Sequence, residues 1–185
     1  MNGVETITEL QPHEVDEFVR AHITMQGATY AHLASGDFLG QLWDEYESRT
    51  QELQELLANP EPGRVDLLAR GPRGGILGIA QLRKGVEAWE EPLIGPGHPR
   101  PAAELCLKSM FTMPAAHGTG LGSRLLEAIL PGGTGAFLWV MAENPRAVRF
   151  YQRNGFEPDG VRAISVGWGQ MPTLRMVRPG SGWAA

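Results

Sequence analysis

The sequence predicts an α/β protein: a single mixed, central β-sheet flanked by helices, built as one domain of 185 residues. Three observations carry this. Two apolar runs of strand length, residues 105–113 and 136–142, are each followed by a turn and a segment of helical periodicity. Residues 65–70 and 76–83 are apolar runs separated by Gly71-Pro72-Arg73-Gly74-Gly75, the composition of a hairpin turn. Residues 12–58 space their apolar side chains at helical intervals.

Taken in order, residues 4–10 alternate well enough for a short first strand. Pro12 then opens a helix with Val15, Phe18, Val19 and Ile23 on one face, and Gly27-Ala28-Thr29-Tyr30 breaks it. A longer helix follows Ser35-Gly36-Asp37, carrying Phe38, Leu42, Trp43, Tyr46, Leu53, Leu56 and Leu57, and ends at Asn59-Pro60. After the hairpin, residues 85–101 hold four prolines and three glycines around Trp89-Glu90-Glu91, too irregular for an element and long for a connection. Such a segment is either functional or mobile. Residues 104–112 form the central strand, 123–130 a helix, 136–142 a strand, and 144–154 a helix. Residues 161–166 and 173–177 close the chain as a hairpin around Gly167-Trp168-Gly169-Gln170-Met171-Pro172.

Composition bounds the function. Apolar residues make up 42% and charged residues 20%, ordinary for a globular chain. One cysteine, Cys106, excludes an internal disulfide framework and suits a reducing compartment; within an apolar strand it reads as a small buried side chain. No apolar run approaches the roughly 20 residues of a membrane span, and residues 1–5 lack the basic and apolar regions of a signal peptide, so the expectation is cytoplasmic. Residues 1–60 hold eleven Asp/Glu against Arg20 and Arg49, while residues 61–185 hold ten acids and fourteen bases. A basic half suits a polyanionic ligand and an acidic half a cationic one, unless those acids simply face water. A net charge of −5 without a basic run argues against nucleic acid.

The motif that carries chemistry is His117-Gly118-Thr119-Gly120-Leu121-Gly122, between a strand and a helix. Glycines let the backbone approach a ligand, and the helix N-terminus behind them favours an anion such as phosphate. The dinucleotide fingerprint fails, because its third glycine is Ser123, and the P-loop fails for want of a lysine. The segment instead resembles the cofactor motif of the GNAT superfamily of N-acetyltransferases, Gln/Arg-x-x-Gly-x-Gly/Ala. The resemblance extends to Asn144-Pro145-Arg146-Ala147-Val148-Arg149-Phe150-Tyr151-Gln152-Arg153-Asn154-Gly155-Phe156, which matches Asn-x-x-Ala-x-x-Phe-Tyr-x-x-x-Gly-Phe at every named position.

That resemblance implies the GNAT fold, with residues 104–156 as the acetyl-CoA-binding core, residues 1–60 supplying acceptor-side helices, and residues 85–101 read as an insertion over the acceptor side unless they are merely mobile. Acetyl-CoA would be the acyl donor, without a metal, and a small-molecule or peptide amine the acceptor, with no nucleic acid or membrane partner; a homodimer is left open. The implied donor-binding residues are Met110, Phe111 and Thr112 on the central strand, His117, Gly118, Thr119, Gly120, Leu121, Gly122 and Ser123 at the loop, and Asn144, which alternatively serves only as an N-cap. Tyr151 stands where the superfamily has a general acid for the thiolate leaving group, unless it is a packed aromatic. For the base, Glu104 is the carboxylate on the central strand, although it precedes by two residues the usual glutamate position, which falls at Cys106. Glu143 and a water chain are the alternatives. Tyr30, Trp43 and Tyr46 either line the acceptor pocket or belong to the core. The implied activity is N-acetyl transfer by direct attack, and a CoA-binding sensor without turnover is the reading from another class.

Overall fold

The computed structural model describes residues 6–33, 36–165 and 170–180. Among these residues seven strands form one sheet: β1 (Thr6–Glu9), β2 (Val65–Arg70), β3 (Ile76–Lys84), β4 (Leu105–Thr112), β5 (Ala136–Met141), β6 (Glu157–Ser165) and β7 (Met171–Arg178). Their order is β1-β2-β3-β4-β5-β7-β6. Among the described residues five α-helices flank the sheet: α1 (Val15–Tyr30), α2 (Phe38–Asp44), α3 (Tyr46–Ala58), α4 (Leu121–Ile129) and α5 (Pro145–Arg153). The expected mixed sheet with helices on its faces is therefore present. Residues 4 and 5, Ser35 and residues 167–169, invoked above for a strand start, a helix start and a turn, lie outside the described residues.

Each face of the sheet carries its own core. On one, Leu121, Leu125, Leu126 and Ile129 of α4 and Tyr151 of α5 pack against Ala80, Leu107, Leu138, Val140 and Met176. The α4 positions recur at helical spacing, so all four point the same way and all are buried. Truncating any of these leucines to alanine would cost about 2–5 kcal/mol. On the other face, Phe18, Ile23 and Met25 of α1, with Phe38, Leu42 and Leu53, cover Leu68, Ile79 and Met141.

Two helix expectations are corrected. The first helix does not break at Gly27 but runs through it to Tyr30. Gly27 serves close approach: a Cβ there would lie 2.7 Å from Leu39 Cδ1, so its absence lets α2 pack onto α1. The second helix is two, parted at Glu45, where ψ opens to −1°. Asp37 caps α2, accepting from the Gly40 N–H at 2.9 Å.

The feature that positions the site lies at the centre of the sheet. β4 and β5 run parallel but are bridged only at Cys106↔Phe137, and beyond that bridge they part. Strand β4 also carries an extra residue near Lys108, since Ser109 opposes Gln81 while Leu107 opposes Leu82. Behind the opening, Arg178 at the end of β7 donates to the carbonyls of Leu130, Thr134 and Asn154, satisfying chain ends behind both α4 and α5.

Candidate active site

The gap between β4 and β5 is the floor of a cleft of about 1550 Å³. That exceeds the ~300–1,000 Å³ of a pocket for one small ligand, as a site for two reactants requires. One arm leads to the glycine loop, the other to the insertion and β6.

The loop arm is shaped by backbone. Gly118 and Gly120 have φ of +80° and +83°, a region that other residues enter only with strain. A Cβ on Gly118 would meet nothing within 4 Å and would project into open space. Gly120 is the N-cap of α4 and offers no side chain; the Leu121 N–H donates to Thr119 Oγ1 at 3.3 Å, which leaves the next N–H groups, those of Gly122 and Ser123, at the cleft edge. His117 joins the loop to α5: its Nδ1 lies 2.6 Å from Arg146 Nη1, and its Nε2 3.3 Å from the Thr112 carbonyl. Burial, then the neighbouring guanidinium, hold its pKa below the usual histidine value. The neutral ring thus accepts from Arg146 through Nδ1 and donates to Thr112 through Nε2.

The middle of the cleft holds Tyr151. Its ring is buried among Phe150 and Phe156, at 5.3 and 5.7 Å between centroids, and its residue lines the cavity. Burial, reinforced by Tyr30, pushes its hydroxyl above the ordinary phenol value, so it carries its proton at neutral pH. Burial likewise pushes the Tyr30 hydroxyl up to about 12, against a hydrogen bond to the Asn144 side chain. Asn144 Oδ1 accepts from the Ala147 N–H at 3.1 Å. The N-cap reading of Asn144 therefore holds, and its amide group is also engaged with Tyr30.

A buried polar row crosses three strands beneath the opening. Ser109 Oγ donates to Gln81 Oε1 at 2.8 Å, Gln81 Nε2 donates to Asp66 at 2.7 Å, and Arg64 closes on Asp66 at 2.7 Å. With its proton committed to Gln81, Ser109 presents only lone pairs to the cleft.

The acceptor arm is walled by the insertion. Residues 85–101 do not float: Glu90 is fully buried, its Oε1 2.8 Å from Arg175 Nη1 and its Oε2 accepting from Trp139 Nε1 at 3.0 Å. Arg175 also bonds Asp159 and the Pro99 carbonyl. Trp89 meets the Trp139 ring edge-on at 5.1 Å and His98 stacks on it at 5.6 Å. The insertion thus covers β5 and β7 on the face where Trp139 and Arg175 pair across the ladder.

Of the residues expected from the sequence, the cleft brings together Met110, Phe111, Thr112, His117, Gly118, Gly120, Gly122, Ser123, Asn144 and Tyr151. Thr119 and Leu121 are turned away; Thr119 Oγ1 donates to the Ala116 carbonyl, and Leu121 is core. Glu104 is outside the cleft, 79% exposed and 3.0 Å from Lys84 Nζ. Glu143 is exposed and does not line the cavity either. Neither Trp43 nor Tyr46 lines the cleft: Trp43 is exposed on α2, and Tyr46, half-buried at the start of α3, packs against the α1-side core, bonds Asp16 and carries Arg20 over its ring. None of the described acids of residues 6–60 lines the cleft; that region contributes Ala28, Thr29, Tyr30 and His32. Sequence reasoning missed Glu87, Trp89, Lys108, Ser109 and Trp139, all at the acceptor arm. The signal available was the cluster Glu87-Ala88-Trp89-Glu90-Glu91 inside an otherwise glycine- and proline-rich stretch. Glu87 is the carboxylate of the lining residues, with one oxygen buried and lacking a hydrogen-bond partner, 3.5 Å from Arg83 Nε. Lys108 lies within its electrostatic reach, and burial pulls the lysine's pKa down.

The split sheet, glycine loop and helix define an acyltransferase architecture. The family model for the acetyltransferase (GNAT) domain matches residues 67–158, and the chain belongs to the GNAT superfamily. It is 30% identical over 112 residues to uncharacterised N-acetyltransferases of Mycobacterium tuberculosis and Mycobacterium bovis, covering 58% of this chain and 62% of theirs. The chain thus spans less than two thirds of the length of those relatives. Among solved structures, the PaiA N-acetyltransferase of Thermoplasma acidophilum in complex with coenzyme A superposes with a TM-score of 0.65 at 16% identity, over 95% of this chain and 98% of that one. The histone acetyltransferase HPA2 and related acetyltransferase of Corynebacterium glutamicum gives 0.64 at 22% identity over both chains entire. These likenesses are of fold.

Proposed function

We propose that the protein is an acetyl-CoA-dependent N-acetyltransferase that acylates a primary amine by direct attack. The observation that carries this reading is the continuity of one cleft from the Gly118–Gly120 loop, past Tyr151, to the insertion. The open space at Gly118 and the N-terminus of α4 suit a pyrophosphate. The unladdered edge of β4 beyond Cys106 suits an amide-bearing arm lying against Met110, Phe111 and Thr112.

In the reaction the amine nitrogen forms a bond to the acetyl carbon and the carbon–sulfur bond breaks. The amine gives up a proton, and the thiolate takes one from Tyr151, which solvent restores. A phenol held above its usual pKa surrenders its proton only to a thiolate made equally basic by desolvation in the same walls. For the amine's proton, the geometry favours Glu87 over Glu104, since Glu87 lines the cleft and Glu104 does not.

The test has two parts. Acetyl-CoA at saturating concentration should raise the melting temperature, as a native-state ligand must. Tyr151→Phe, which keeps the ring against Phe150 and Phe156, should lower kcat for thiol release by roughly 10²–10⁴ and leave acetyl-CoA affinity unchanged. An unmoved melting temperature refutes the donor assignment. Full turnover in the Phe variant assigns the proton to water, and binding without any turnover of wild type leaves the sensor.

A further inference from the structure

We propose that the acceptor is a small monoamine with an aromatic-sized apolar body, and that polyamines and other polycations are excluded. This inference rests on the acetyltransferase reading and specifies its acceptor. Five large apolar residues are exposed among the described residues, and three of them, Trp89, Leu93 and Ile164, line the acceptor arm at 43, 49 and 52% exposure. Isolated exposed apolar side chains are ordinary, but three converging on one mouth mark a binding surface. Trp89 is held rigidly for that role. It is backed edge-on by Trp139, and Trp139 is itself fixed by His98 stacked on its ring and by Glu90 on its Nε1. A flat ring against the open face of Trp89 would lose water from both surfaces and little conformational freedom.

Charge decides the number of amines. Among the described residues Glu87 is the carboxylate lining the cleft, whereas Lys108 and Arg162 line it as cations on the acceptor side, Arg146 being held at the loop arm by His117. One ammonium can approach Glu87, already 3.5 Å from Arg83. A second or third ammonium on the same molecule would find only like charge and the apolar mouth, and burying it unpaired is unfavourable. The acids that would draw a polycation sit on α1–α3, outside the cleft. The same positive surroundings favour the neutral, nucleophilic form of a single amine.

The experiment measures kcat/KM on the full chain with acetyl-CoA, using 2-phenylethylamine and tryptamine against spermidine, kanamycin and a peptide N-terminus. The arylalkylamines should exceed each of the others at least 100-fold. Trp89→Ala should raise KM for 2-phenylethylamine at least tenfold, and Ile164→Asp should narrow the gap to spermidine. Both side chains are exposed, so the variants should fold, and acetyl-CoA affinity measured by calorimetry should match wild type. Acetyl-CoA binding with spermidine, kanamycin or the peptide preferred would overturn the proposal and leave the acetyltransferase reading standing. So would failure of 2-phenylethylamine to bind the CoA complex, or a Trp89→Ala variant with unchanged KM. Failure to bind acetyl-CoA at all would refute the underlying reading instead.

Discussion

Removing the carboxylate of Glu90 should loosen the insertion from the sheet. Glu90 and Arg175 are both without exposed side-chain surface, 2.8 Å apart, and Glu90 also receives the indole N–H of Trp139. Breaking a buried pair by removing one partner costs about 3–5 kcal/mol, because the other charge stays buried. Arg175 keeps Asp159 at 2.7 Å and the Pro99 carbonyl, which puts Glu90→Ala near the lower end. At roughly 2–4 °C per kcal/mol for a chain of this size, the melting temperature should fall by about 6–12 °C. If residues 85–101 detach locally before the domain unfolds, the melting shift shrinks and amide exchange in that segment accelerates instead. Thermal denaturation and hydrogen exchange therefore belong together. Replacing both members, Glu90→Leu with Arg175→Met, should recover much of the loss, since no charge is left stranded. A Glu90→Ala protein within about 1 kcal/mol of wild type by the melt, with protection of the segment intact, would refute the idea that this pair holds the insertion.

Two further outcomes follow from the geometry. Gly120→Asp should weaken acetyl-CoA binding at least tenfold, while Gly120→Ala, which meets the same φ of +83° and the same crowding by Arg124 but adds no charge, separates backbone strain of about 1–2 kcal/mol from electrostatics; equal affinities in the two variants would move the phosphate site. His22, between Phe18 and Phe111, is pulled down to about 3 by burial and then by Arg49 and Lys108. A lowered folded-state value means the unfolded chain takes the proton first, so this contribution is present above about pH 6.5 and is lost as pH falls toward 3. Wild type should accordingly lose about 1.4 kcal/mol per pH unit more than His22→Phe between pH 6 and 4, measured by denaturant titration, and parallel profiles would count against it.

Local chemistry was the legible part. The glycine loop, the Asn144 cap and the apolar runs of β2–β5 depend on residues close in sequence, and the structure has them where the sequence puts them. The acceptor arm was hidden because its contacts are long-range: Trp139 meets Glu90 across 49 residues, and Arg175 meets Glu90 across 85. Glu104 stands two residues ahead of the position the resemblance gives the carboxylate, and that offset decides where its side chain lies. Two residues along a strand keep the same face but also shift a side chain by about 7 Å. Here that shift carries it past Cys106, where β4 and β5 close together, and out to Lys84. The acid-rich first sixty residues left two readings open on charge alone, attraction of a cationic ligand or acids facing water; the described acids of α1–α3 stay outside the cleft, as the second has it, and only the Ala28–His32 stretch reaches it.

The parting of β4 and β5 also bears on how strands are kept from pairing between molecules. A sheet that splits at its middle has four edges instead of two, and an exposed edge is a template for pairing with another chain. The two inner edges are recessed between α4 and α5 on one face and α1 with the insertion on the other, in a slot that admits an extended small molecule but not a twisted sheet from a neighbour. Their hydrogen-bonding groups therefore stay available without inviting aggregation. Loosening Glu90 from Arg175 would unroof one of these edges, so the anchor of the insertion doubles as protection against strand exchange between molecules.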